Sequence, residues 1–257
     1  MNRNSFYAGA VFAIAMIALG VMSFATNDFA PIWTPVSKTF PAREVLVYVT
    51  AAVLLACGAG VFWKTTAASA SRVLLALLLA WILVFKLPPI LHAPGVAVGW
   101  ESCGETAVIT SAAWALYGLH SSAWDRRWLR WISGDNALRI AQCLFGLSMI
   151  AFGAAHFAYP KETAALVPAW IPAHEAWVYF TGGAYVAAGI AIVIRRFALL
   201  ATSLATAQMG IFTLLIWLPP VLKGPDASEL SEAIISFVLT ICGWIVATSY
   251  CAKSDTK

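Results

Sequence analysis

Apolar residues follow one another along this chain in long, nearly uncharged blocks at residues 6–25, 44–63, 71–91, 103–120, 137–157, 175–194, 197–218 and 231–250. Each block matches the roughly 20 residues that an α-helix needs to cross a hydrocarbon core about 30 Å thick. The pattern predicts an all-α polytopic membrane protein with eight transmembrane helices. The first block follows "MNRNSF" and has the look of a signal peptide. Its apolar stretch of about 18 residues exceeds the 7–15 of a signal h-region, and nothing after it resembles a soluble mature domain, so it reads as the first helix.

The polar positions between the blocks sort by side. Arg3, Lys64, Arg72, Arg126, Arg127, Arg130, Arg139, Arg195, Arg196, Lys253 and Lys257 fall on one side, against Lys38, Arg43, Lys86, Lys161 and Lys223 on the other. The positive-inside rule then puts both termini in the cytoplasm. Nine of the twelve acidic residues lie toward the outside: Asp28, Glu44, Glu101, Glu105, Glu162, Glu175, Asp226, Glu229 and Glu232. Composition agrees, because 61% hydrophobic and 11% charged residues leave too little polar surface for a soluble domain. Topology accounts for the arginines, so the net charge of +4 gives no reason to expect a nucleic-acid partner. The five cysteines form no CxxC pair and read as small apolar fillers, which disfavours a thiol oxidase of the CxxC type.

Sliding the chain by 131 residues without a gap sets 44–94 on 175–225, with 15 of 51 positions identical. Glu44 meets Glu175, Tyr48 meets Tyr179, Gly58 meets Gly189, and "LPPILHAP" meets "LPPVLKGP". Each half holds four apolar blocks, an even number, so both halves share one orientation, as in parallel repeats related by an axis along the membrane normal. The expected organisation is a first four-helix unit at 1–124, a cytoplasmic linker at 125–136 and a second four-helix unit at 137–257. Pro88-Pro89 and Pro219-Pro220 are expected to end the third and seventh helices, since the second proline removes a donor and crowds the preceding turn. Gly58 and Gly189 are expected to permit close helix contact.

Two groups of residues are candidates for chemistry. The stretch "HFAYPKETAALVPAWIPAHEAWVYFTGG", 156–183, joins the fifth and sixth helices on the outer side. Pro160 with Glu162 reads as the start of a short surface helix. His156 ends the fifth helix, His174 and Glu175 open the sixth, and Tyr179 follows Glu175 at i,i+4. Ionisable groups near membrane depth mark a site by default, and helix capping in the headgroup layer is the plain alternative. With Tyr185 these form the first candidate ligand-binding set. The second is Lys86, His92, Glu101 and Glu105, in which two carboxylates one turn apart suit a proton or cation, or equally a solvated helix start. No HxxxH or HxxE spacing supports a metal site, and no catalytic residue is assigned.

The second half, about 137–222, resembles the DoxX family of small four-helix bacterial membrane proteins, which includes the small membrane subunit of thiosulfate:quinone oxidoreductase. The resemblance is carried by His156-Phe157, Pro160, Val167 to Pro172, Val178 to Gly182, Gly189 and Arg195-Arg196. Tyr185 stands about where family members often carry a glutamate, and "GIFTLLIWLPP" replaces a frequent Ala-Asn pair. The resemblance implies an inner-membrane protein and an accessory membrane subunit of a quinone-linked oxidoreductase. No haem pair, flavin fingerprint or thiol pair is legible, so redox cofactors would belong to a partner subunit and quinone would be the ligand of this chain. A transporter or small-molecule binding protein and a membrane scaffold or assembly factor are the alternatives, and whether the chain is an enzyme is left open.

Overall fold

The computed structural model describes residues 3–63, 65–224 and 226–251. Lys64, Lys253 and Lys257 of the basic set, and Pro225 of the 131-residue register, lie outside the described residues. The described residues hold eight long helices and no strand: α1 (Arg3–Thr26), α2 (Arg43–Val61), α3 (Ala67–His92), α4 (Ala97–His120), α5 (Gly134–Ala158), α6 (His174–Val193), α7 (Ala198–Lys223) and α8 (Ala227–Ser249). Successive helices pack side by side, and α8 returns to lie against α1, α4 and α5.

Seven of the eight are long and apolar enough to cross a membrane, and α4 is not among them. The reason is where α4 sits. It runs through the middle of the molecule against α3, α5 and α8, and residues 106–113 are buried without a break. A helix walled by protein needs less aliphatic surface than one facing lipid. Thr106, Thr110 and Ser111 are therefore tolerated there, and their hydroxyls are satisfied locally: Thr110 Oγ1 donates to the Thr106 carbonyl at 2.7 Å and Ser111 Oγ to that of Val108 at 2.6 Å.

Glycine sets the closest helix contacts. A Cβ on Gly153 of α5 would lie 2.5 Å from the Gly182 carbonyl oxygen and 2.5 Å from Val186, and one on Gly20 of α1 would lie 2.9 Å from the Ala51 carbonyl oxygen and 2.8 Å from Leu55. From the facing helices, Gly58 meets Ala13 and Ile17, while Gly189 meets Gly146 and Ile150. The α1–α2 and α5–α6 pairs thus approach through the same four-contact pattern. Small residues let backbones touch where no hydrophobic drive separates helix from lipid.

The prolines do not end α3 and α7, contrary to the sequence expectation. A π-helical turn, Ile82–Lys86 in α3 and Thr213–Trp217 in α7, precedes each Leu-Pro-Pro, and helix resumes to His92 and Lys223. In each turn the leucine amide bonds back five residues, Leu87 to Ile82 and Leu218 to Thr213. The prolines then occupy the first turn of the restarted segment, where a missing N–H costs nothing. The two π turns begin 131 residues apart, as do the starts of α3 and α7, and Ala42 and Ala173, which precede α2 and α6, are both left-handed with φ of 54° and 58°.

The connection at 125–136 is folded rather than loose. Ala123–Trp128 is a short helix begun by a Ser122–Asp125 capping box. Asp125, fully buried, accepts from Tyr117 Oη at 2.9 Å and Ser122 Oγ at 2.6 Å, and pairs with Arg72 at 2.7 Å. Burial opposes ionisation, yet the Ser122 and Tyr117 hydrogen bonds and the Arg72 charge hold this carboxyl below the usual range. On the opposite side, Pro160–Ala165 forms the expected short helix with proline in its first turn and rests on α5 and α6, while Trp170 stays exposed.

Candidate functional site

In the second half the α5–α6 contact fixes His156. A Cβ on Gly182 would come within 2.8 Å of the His156 Cβ, so only glycine lets the imidazole fold over the helix pair. His156 Nδ1 lies 2.8 Å from the Phe152 carbonyl oxygen. A carbonyl only accepts, so Nδ1 carries the proton and the neutral ring keeps Nε2 as an acceptor. The ring stacks on Phe212 of α7, with centroids 6.2 Å apart and planes 21° apart, and meets Tyr185 of α6 edge-on at 5.6 Å. Tyr185 is buried and also meets Phe152 and Phe212 edge-on. Gln208 of α7 stands beside Tyr185 and donates from Nε2 to the Thr181 carbonyl at 3.1 Å. Three helices thereby close on one histidine, one tyrosine and one amide among aromatic rings.

Of the first candidate set, the structure brings His156 and Tyr185 together and leaves the rest apart. Glu175 is exposed, and Tyr179, also exposed, stacks on Phe157 with centroids 6.2 Å apart. His174 is half-buried at the start of α6. Gln208 and Phe212 escaped sequence reasoning. A glutamine within an otherwise apolar block was the available signal for the first, whereas nothing distinguishes Phe212 from other apolar residues until α7 is seen against α5.

Of the second set, Lys86, Glu101 and Glu105 gather on α3 and α4 near Glu232 of α8, and His92 does not join them. Lys86 lies in the π turn of α3 and is only 3% exposed. Its Nζ donates to the Thr34 carbonyl oxygen and, at 2.7 Å, to Ser102 Oγ of α4. Thr34 closes a loop whose residues Phe29 to Trp33 are all buried, with Trp33 and Trp81 centroids 4.7 Å apart and Trp81 and Phe85 4.3 Å apart. Glu105 lies within electrostatic reach of Lys86, Glu101 and Glu232. Glu232, on α8, was read from the sequence only as an outer acidic residue. It stands 131 residues after Glu101, so extending the register past 94 would have found it. His92 is exposed at the end of α3 and carries no contact to this group. Of these carboxylates only Glu105 reaches the Lys86 ammonium, and Glu101 and Glu232 add like charge beside it, an imbalance that protons or a cation can meet. Among the described residues no cluster of His, Cys, Asp and Glu has the arrangement of a metal site.

Residues 145–215 match the model of a domain of unknown function, DUF8561. This span runs from the middle of α5 to the π turn of α7 and holds His156, Tyr185, Gln208 and Phe212. No curated protein and no solved structure matches the chain.

Proposed function

We propose that the chain is a DoxX-like integral membrane protein of the bacterial inner membrane, acting as the accessory membrane subunit of a quinone-linked oxidoreductase. In this reading it consists of two parallel four-helix units, all eight helices cross the bilayer, and both termini are cytoplasmic. Support for the duplication comes from the ungapped 131-residue register and from helix starts, π turns and left-handed residues that recur at that spacing. Support for the orientation is the eleven-to-five division of basic residues.

The observation that carries the functional reading is the His156–Tyr185–Gln208 set enclosed by Phe152 and Phe212. A quinone headgroup is a planar ring with two carbonyl oxygens, and its reduced form carries two hydroxyls. The Tyr185 hydroxyl suits the oxidised form as donor, and His156 Nε2 suits the reduced form as acceptor. Redox cofactors belong to a partner subunit. Extraction of the mildly solubilised protein with organic solvent, followed by quinone and cofactor analysis, tests this. The native protein is expected to retain quinone, and His156→Gln and Tyr185→Phe are expected to lose it at unchanged abundance. Retention unaffected in both variants would leave the set as packing.

A second reading, an ion-coupled transporter, is favoured by the π turns that interrupt α3 and α7 at corresponding positions and by the Lys86–glutamate group beside one of them. Uptake in proteoliposomes that is abolished by Glu105→Gln, with quinone absent from the native protein, would select it.

A further inference from the structure

The side of the molecule that carries the α4–α5 connection presents a surface that neither reading uses. Trp124, Trp128 and Trp131 are 54%, 63% and 71% exposed, a large aromatic area for seven to eight residues of chain. Each indole is paired with a guanidinium: Arg72 lies 5.1 Å from the Trp124 centroid, Arg127 5.3 Å from that of Trp128, and Arg130 4.6 Å from that of Trp131. Arg126 and Arg139 are exposed beside them.

What makes this surface more than a set of interfacial anchors is the fate of its acids. Only Asp125 and Asp135 lie between residues 120 and 140. Asp125 is turned inward and its charge is spent on Tyr117, Ser122 and Arg72. Asp135 alone remains exposed against four exposed arginines of the same stretch. Arg72 is committed to Asp125, whereas Arg127 and Arg130, stacked on Trp128 and Trp131 and exposed, offer planar N–H forks suited to phosphate oxygens. Indole rings settle at the boundary between headgroups and acyl chains. Rings at that depth with guanidinium edges beside them match an anionic phospholipid, acyl chain against indole and phosphate against guanidinium.

We propose that residues 124–131 form a binding surface for anionic phospholipid headgroups of the cytoplasmic leaflet. The surface pins the connection between α4 and α5 to the membrane. The proposal rests on the membrane reading but not on the quinone reading. Each juxtamembrane arginine is worth about five-fold in affinity for an anionic surface, the equivalent of ~1 kcal/mol.

The test uses the full chain reconstituted in vesicles of equal parts phosphatidylglycerol and phosphatidylcholine, re-extracted in mild detergent, with retained lipid measured by mass spectrometry. The native protein is expected to retain phosphatidylglycerol in several-fold excess. Arg127→Gln with Arg130→Gln is expected to lower that excess at least five-fold, while Arg127→Lys with Arg130→Lys keeps most of it. Equal retention of both lipids by the native protein, or an excess unchanged in the glutamine variant, overturns the proposal. Capture of a soluble protein lost in the glutamine variant, with lipid retention unmoved, overturns it in favour of a protein partner. Failure of the native chain to incorporate into vesicles would refute the membrane reading itself, a separate result.

Discussion

The α1–α2 pair and the α5–α6 pair share one packing scheme and differ in what it encloses. Gly20 against Ala51 and Leu55 corresponds to Gly153 against Gly182 and Val186, contact for contact. Three residues after these glycines stand Ser23 and His156. Among the described residues Ser23 Oγ is buried without a partner, whereas His156 is bonded to Phe152, stacked on Phe212 and met edge-on by Tyr185. Across the 131-residue register of the following helices Leu54 answers Tyr185, Leu77 answers Gln208 and Trp81 answers Phe212. Polar chemistry is thus enclosed in the second half and replaced by apolar filling in the first. The reverse holds at the π turns, where Lys86 of the first half lies within electrostatic reach of Glu105 and the uncharged Trp217 stands at the matching position of the second. The lesson is that helix contacts made by small residues can set one packing scheme while the side chains between them differ.

The largest effect expected from breaking this contrast is at Lys86. Lys86→Met removes a buried cation and leaves the Thr34 carbonyl and the glutamates without it, which should cost about 3–5 kcal/mol. Trp217→Leu, at the matching position, should cost less than about 1.5 kcal/mol. Melting of the detergent-solubilised protein followed by tryptophan-independent fluorescence or size exclusion reads both. Similar losses would remove the distinction between the π turns.

Next in size are the glycines. Gly153→Ala and Gly20→Ala each force a methyl group into a contacting backbone and should cost about 1–3 kcal/mol, with Gly153 the worse because its contacts are closer. Gly183→Ala, which meets nothing within 4 Å, is the control and should be neutral. A tolerant Gly153 would mean that α5 and α6 are farther apart than described.

A smaller effect is expected where the halves differ in chemistry. His156→Gln, losing one carbonyl bond and two ring contacts, should lower stability by about 1 kcal/mol. Ser23→Ala, deleting an unpartnered hydroxyl, should be neutral or stabilising. Thermal melting of the two variants side by side checks the order, and a destabilising Ser23→Ala would reveal a partner for that hydroxyl.

The smallest effect concerns pH. Asp28 pairs with Arg43 between α1 and α2, and among the described residues the second half has no such pair. Burial raises the Asp28 pKa, but the Arg43 bond, the Phe29 amide and the charges of Arg43 and Lys38 outweigh it and hold it lowered. A lowered folded-state pKa gives stability that is full above the unfolded value near ~3.9 and is lost as pH falls through the folded value. Asp28→Asn should therefore lower stability near neutral pH by no more than the roughly 0.2–1 kcal/mol typical of exposed pairs, a difference that vanishes as pH falls below about 4. An acid melting profile identical in native protein and variant would show that the pair contributes nothing.

Helix count and order were legible because eight apolar blocks stand apart in the sequence, and glycine spacing marked the contact faces. Two features were not. Proline in a helix reads as a terminus from local sterics alone, and the π turn that converts Pro88-Pro89 into a restart depends on backbone shifts three to five residues upstream. The low apolar content of α4 becomes intelligible only once its neighbours are seen to cover it. The candidate sites show the same limit. Lys86, Glu101 and Glu105 could be paired from loop lengths, but Glu232 comes from the far end of the chain. Glu175 and Tyr179, grouped with His156 in the linear reading, are exposed, and Tyr179 stacks on Phe157 instead.

The most direct test of two parallel units is the sidedness of their outer connections. With Cys57, Cys103, Cys143, Cys242 and Cys251 replaced, single cysteines at Ser37 and Ala169, both exposed, are treated with a membrane-impermeant maleimide in intact cells, with Thr65 and Arg196 as the opposite pair. If α4 crosses the bilayer with the other seven, Ser37 and Ala169 label from outside, and Thr65 and Arg196 label only after permeabilisation. Labelling of Ser37 and Ala169 from opposite sides would mean that α4 does not cross and that the two halves are not parallel.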